Sequence, residues 1–118
     1  MSPGDVVGLR GPLGAGKTTF VRGVVRSLHG SDQAVSSPTF VFRQRYDGAP
    51  TVEHVDLYRI EDPRDLAELG LEDAFEPDRI TLVEWPERGG DWLPAERIDV
   101  TIDGAGDGPR RIRVCRPG

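Results

Sequence analysis

The sequence contains no asparagine, and Lys17 is its single lysine; the remaining Lys+Arg positions are all arginine. Without asparagine or a second lysine, the chain cannot carry the Asn-Lys-x-Asp motif that recognises guanine in the GTPase branch. A coding bias puts arginine wherever either cation serves, so a lone lysine fits a place that needs a compact ammonium. Cys115 is the single cysteine, which excludes an intrachain disulfide and a thiolate metal cluster. No window approaches the roughly 18 uncharged apolar residues of a membrane helix. Met1 to Asp5 lack the basic-then-apolar pattern of a signal peptide. A cytoplasmic protein with no membrane partner is the expectation. The formal net charge of −5 gains little from counterion release, so DNA is not expected as a partner. RNA would have to be brought in by another protein or by a local basic patch. Arg110, Arg111, Arg113 and Arg116 crowd one such patch, whose simpler reading is a charged edge strand that discourages aggregation.

What is present is one domain's worth of chain, 118 residues with 36% hydrophobic and 30% charged positions. Asp5–Arg10 reads as a short buried strand leading into GPLGAG. KTTFVRGVVRSLH then predicts a helix, with Phe20, Val21, Val24, Val25 and Leu28 on one face of a 3.6-residue period. Gly30, Ser31 and Asp32 are a stop signal, and Gln33–Pro38 reads as a loop. Thr39–Tyr46 and Thr51–Tyr58 predict an antiparallel hairpin around DGAP. Asp62 and Pro63 open a short helix as N-cap and first helical residue, Gly70 breaks it, and LEDAF suggests another turn. RITLVE (Arg79–Glu84) is the next buried strand, WPERGGDWLPAE a loop, and RIDVTID with RRIRVC a closing hairpin. The expected fold class is α/β: residues 1–118 as a single P-loop NTPase-like domain, with a mixed parallel/antiparallel sheet flanked by a few helices.

GPLGAGKT matches G-x-x-x-x-G-K-[ST] in the required context, strand before and helix after. Gly11, Gly14 and Gly16 let the backbone curl and aim its N–H groups inward as an anion nest, with Ala15 between them. The helix starting near Lys17 adds its dipole at the same point. Lys17 supplies charge to the β- and γ-phosphates, the Thr18 hydroxyl can ligate Mg²⁺, and Thr19 is placed to meet the α-phosphate. The lack of a guanine motif favours ATP by elimination.

Such a loop needs an acid at the end of a neighbouring apolar strand to hold Mg²⁺. Glu84, closing Ile80-Thr81-Leu82-Val83, meets that pattern with one methylene more than the usual aspartate. Asp56 in HVDLYR could orient or deprotonate the attacking water, although a solvated strand carboxylate fits its spacing nearly as well. His54 and Tyr58 are expected on the same strand face as Asp56, His54 in a structural role. Thr39, after SSP, could reach the γ-phosphate as switch-loop threonines do. Trp85 and Trp92 read as core or loop packing.

GPLGAGKTTFVRG, SPTFVF, HVDLYRIEDPRDLAELGLEDAF and LVEWPERG follow one another in this order, and the set resembles the TsaE (YjeE) family. The resemblance runs from about Val6 to about Pro94; beyond Arg97 only the β-rich character is similar. It implies a bacterial cytoplasmic ATPase acting with TsaD and TsaB in making threonylcarbamoyladenosine in tRNA, which it would meet only through that complex. Carried over by position, it implies phosphate binding by Lys17 and the Gly14–Thr19 backbone and Mg²⁺ ligation by Thr18 and Glu84. It gives Asp56 a part in hydrolysis and puts Thr39 in a switch-like loop. Family members carry a segment before the first strand that helps enclose the adenine. Here the strand starts almost at once, so either the start is misassigned or part of the base pocket is lacking, while phosphate binding is expected intact. Pro12 replaces an acidic residue common after the first glycine, at a position that sets backbone direction only.

Two other readings share the phosphate loop. A small-molecule or nucleoside kinase would need an acceptor pocket and an arginine-bearing lid, for which the chain leaves little length. A non-hydrolysing binding module would need Lys17 but neither Glu84 nor Asp56.

Overall fold

The computed structural model describes residues 2–11, 17–30, 43–62, 64, 66, 75–104, 109 and 111–116. The strands are β1 (Val6–Arg10), β2 (Arg43–Tyr46), β3 (Thr51–Asp56), β4 (Arg79–Glu84), β5 (Ile98–Asp103) and β6 (Arg111–Cys115). They form one six-stranded sheet in the order β2-β3-β4-β1-β5-β6. The inner pairs β3–β4, β4–β1 and β1–β5 are parallel, whereas β2 and β6 run antiparallel to their neighbours at the two edges. The mixed α/β sheet expected from the sequence is thus the observed architecture. Central parallel strands must be covered on both faces, which is why Val6–Leu9 and Ile80–Val83 are almost uniformly apolar.

The helix α1 (Lys17–His29) has the bounds that periodicity predicts. Val21 and Val25 are buried, and Phe20, Val24 and Leu28 pack beside them on Val7, Leu9, Ile80, Leu82, Val100 and Ile102. Gly30 ends it with φ 77°, a left-handed conformation natural to glycine, and donates its N–H to the Arg26 carbonyl at 2.8 Å. The opposite face of the sheet carries Val6, Val55 and Val83 under Leu57, Ile60, Leu66 and Leu93. Trp92 belongs to this second layer, its ring centroid 4.6 Å from that of Phe75, as core packing predicts.

The hairpin β2–β3 is present, but β3 stops at Asp56 rather than Tyr58. There the chain turns, the Asp56 Oδ1 accepting the Tyr58 N–H at 2.9 Å and the Leu57 N–H crossing to the Glu84 carbonyl at 3.1 Å. Of the predicted first strand of this hairpin, Arg43–Tyr46 is observed, while 39–42 lie outside the described residues. Asp62 accepts the Arg64 N–H at 3.0 Å, the capping bond expected of it. Pro63, Gly70 and most of the predicted short helices after them fall outside the described residues. The closing hairpin β5–β6 is as predicted, and the loop after β4 contains two short 3-10 turns, Pro86–Arg88 and Gly90–Trp92.

On the face away from α1, Glu53 is fully buried yet charged. Its carboxylate accepts from Arg43 Nε and Nη2 at 2.9 Å, Arg45 Nε at 3.0 Å and Arg79 Nη1 at 2.8 Å. Burial pushes this carboxyl up, but the Arg43 and Arg45 hydrogen bonds outweigh it and hold Glu53 below its ordinary range. One carboxylate therefore ties β2, β3 and β4 together.

Candidate functional site

The site lies at the carboxyl ends of the parallel strands, where open α/β sheets leave a crevice for ligands. Parallel register aligns Leu9 with Glu84 and Glu84 with Asp56, so both acids reach the same sheet end on the face that α1 covers. β1 ends at Arg10 and α1 begins at Lys17, so the two ends of the glycine-rich segment lie at this edge of the sheet. Lys17, Asp56 and Glu84 are thereby brought close enough to act on one another's charge.

Lys17 is 5% exposed, and its ammonium donates to the Gly11 carbonyl at 2.7 Å. It also sits 3.8 Å from the centroid of the Trp85 ring, an arrangement in which the ring face attracts the cation. Burial lowers its pKa, opposed by the negative charge of Glu84, Asp56 and Glu87. Glu84 is 4% exposed, and its Oε2 accepts from His54 Nε2 at 2.6 Å. Asp56 is half-buried; desolvation raises its carboxyl pKa, the Tyr58 N–H pulls it back, and nearby Glu84 pushes it further up. A carboxyl raised in this way holds a proton more readily than a surface aspartate, as suits a general base.

Hard oxygen donors suit Mg²⁺, which takes one or two carboxylates plus substrate phosphates in preference to an all-protein cage. Glu84 beside Lys17 fits that pattern. Among the described residues, no group of three or more His, Cys, Asp or Glu could hold a metal alone. Gly14, Ala15 and Gly16 lie outside the described residues, as do Pro12 and Thr39. Thr18 and Thr19 are in the first turn of α1, and Thr19 is exposed.

Two residues matter more here than their sequence context suggested. His54 is bonded to the expected metal ligand instead of serving as generic strand packing. Trp85, while partly buried against the second core layer, also forms a wall of the site. It adopts φ 58° and ψ 52°, a left-handed backbone costing about 1–2 kcal/mol outside glycine. Its N–H donates to the Leu9 carbonyl at 3.3 Å. Tyr58 lies beyond the strand end with its ring 5.2 Å from that of Trp85. The loop behind is pinned by Arg10 to Glu87 at 3.2 Å and by Arg88 to the Ile60 carbonyl at 3.3 Å. The one legible signal for Trp85 was its place directly after Glu84.

No helix among the described residues is long and apolar enough to cross a membrane. A family model described as threonylcarbamoyl adenosine biosynthesis protein TsaE matches residues 1–112. The Bacillus subtilis protein named tRNA threonylcarbamoyladenosine biosynthesis protein TsaE is 44% identical over 117 residues, covering 98% of this chain and 72% of that protein. The Haemophilus influenzae protein of the same name is 43% identical over 99 residues, covering 83% of this chain and 62% of its own length. The crystal structure of Bacillus subtilis YdiB superposes with a TM-score of 0.77 at 36% identity, covering this whole chain (100%) and 72% of that one. The fold, the strand-end acids facing Lys17 and these matches agree that the chain belongs to the TsaE family.

Proposed function

We propose that this chain is a cytoplasmic ATPase that binds Mg²⁺-ATP in the loop Gly11–Thr18. Hydrolysis would support a TsaD–TsaB complex in forming threonylcarbamoyladenosine in tRNA. The observation that carries this reading is the convergence of Lys17, Asp56 and Glu84 at one end of the sheet. Lys17 would leave the Gly11 carbonyl for the β- and γ-phosphates. Glu84, held by His54, and Thr18 would hold Mg²⁺, which when bound neutralises phosphate charge as the γ-phosphoryl departs. Asp56 would orient the attacking water and take its proton. Gly11, Gly14, Ala15, Gly16 and Thr19 would supply backbone and hydroxyl contacts to the phosphates, and Thr39 would close over the γ-phosphate. The tRNA would be reached only through the partner proteins, with no role for DNA or a membrane.

Calorimetric titration with ATP, ADP and GTP, followed by phosphate-release assays with and without TsaD and TsaB, tests the proposal. The expected result is ATP binding that Lys17→Ala weakens about 100-fold, the scale of a lost charge-assisted contact, with release faster when both partners are present. Failure of the folded protein to bind ATP would remove the reading. Transfer of phosphate to an added metabolite faster than its release would make the chain a kinase. Full support of the complex by Asp56→Ala and Glu84→Ala, but not by Lys17→Ala, would make it a non-hydrolysing binding module.

A further inference from the structure

The edge strand β6 differs from every other strand in burying none of its residues. Ile112 and Val114 are 55% and 51% exposed, and they register with the buried Ile102 and Val100 of β5. They therefore extend the α1-side apolar layer outward, beyond what the described residues cover. Arg111 and Arg113 occupy the opposite face, across from Asp103 and Thr101, and Arg116 follows the strand. No ion pair holds these three arginines among the described residues; the nearby Asp99 is engaged by Arg97 at 3.2 Å. No described strand pairs with the outer edge of β6, which leaves half its backbone N–H and C=O groups facing outward.

We propose that β6 is a docking edge for an extended segment of a partner protein in which acidic and apolar residues alternate. Main-chain bonds to the outer edge would add that segment as a further strand, and alternate side chains would give it specificity. Side chains on one face of a strand recur every two residues, about 7 Å, so glutamates two apart meet Arg111 and Arg113 while the intervening residues cover Ile112 and Val114. Charge selects this occupant over a second copy of the chain: antiparallel pairing centred on Arg113 would set that arginine against its own counterpart, and like charges directly opposite are destabilising. It also selects protein over RNA, because phosphates would meet the arginines and leave the apolar face uncovered.

The test uses the full chain and capped synthetic peptides of alternating Glu and Val or alternating Lys and Val, with a short single-stranded RNA as a third probe. Binding is read by anisotropy, and its site by amide exchange in 98–103 and 111–116. The Glu–Val peptide is expected to bind at least about tenfold more tightly than the Lys–Val peptide, as opposed charges across an interface require, and to slow exchange in 111–115. The double variant Arg111→Glu/Arg113→Glu should reverse the preference, and Ile112→Ser/Val114→Ser should weaken both peptides; unchanged exchange in β1 and β4 confirms folding. Equal affinity for the two peptides, protection elsewhere, tighter RNA binding at β6, or self-association through β6 would each overturn the proposal.

Discussion

Nε2 of His54 donates to Oε2 of Glu84 across 2.6 Å, with both side chains nearly buried at 11% and 6% exposure. The bond joins β3 to β4 two residues before Asp56 and fixes the carboxylate that faces Lys17. Groups that orient a metal's carboxylate ligand commonly change metal affinity 10–100-fold when removed. His54→Ala should accordingly raise the Mg²⁺ concentration needed for half-maximal ATP binding by about tenfold, and His54→Gln, which can still donate, should recover most of the loss. Nucleotide titrations at stepped Mg²⁺ measure it, and equal behaviour of Ala and Gln variants would show that the bond does not orient Glu84.

Asp56→Asn should separate binding from turnover. With the proton acceptor gone, hydrolysis is expected to fall by about 10²–10⁴-fold while ATP affinity changes little. The folded chain raises the Asp56 pKa, so it holds this proton more readily than the unfolded chain. The associated stability is present at low pH and lost as pH rises through the folded value. Urea melts should therefore find Asp56→Asn more stable than wild type at neutral pH, the gain shrinking as the medium is acidified into the carboxylate range.

Glu53 predicts the reverse. Its folded pKa lies below the ordinary value, so its stabilisation is present above the unfolded carboxylate range and disappears as pH falls through the folded value. Removing one partner from a buried ionic cluster costs about 3–5 kcal/mol. Glu53→Gln should lose an amount of that order at neutral pH and show a flatter acid limb, measured by denaturant melts across pH.

Trp85 offers a direct optical readout. Its ring lies against the Lys17 ammonium, which binding of a triphosphate would draw away. In a Trp92→Phe background, where Trp85 is the one remaining tryptophan, ATP should change the emission, and Lys17→Ala should abolish that change. Emission indifferent to saturating ATP would mean that Lys17 stays on the ring.

Much of this could be read from residue order. The bounds of α1 follow from its apolar period and the Gly30 stop, and β4 is legible because four apolar-to-neutral residues lead to a terminal acid. Asp56 and Glu84 were identifiable as strand-end carboxylates near the phosphate loop. Their pairing on one sheet face depends on β3–β4 register, which is long-range and leaves no local mark. The same holds for His54: a histidine two residues before an acid looks structural until the neighbouring strand supplies Glu84. Glu53 is harder still: it shares its strand face with the buried Val55, and only the convergence of Arg43, Arg45 and Arg79 makes burial of a carboxylate there tolerable.

The strand order also sets a timetable for synthesis. Among the described strands β1 precedes the others, yet both of its neighbours, β4 and β5, are made only after β2 and β3. The edge hairpins β2–β3 and β5–β6 close locally, but Leu9 waits for Glu84, and Gly8 for Asp99. Non-local pairings carry the larger loop-closure cost and form late. The glycine-rich segment and Lys17 therefore leave the ribosome well before Asp56 and Glu84, and the three charged side chains can meet only after β4 has followed.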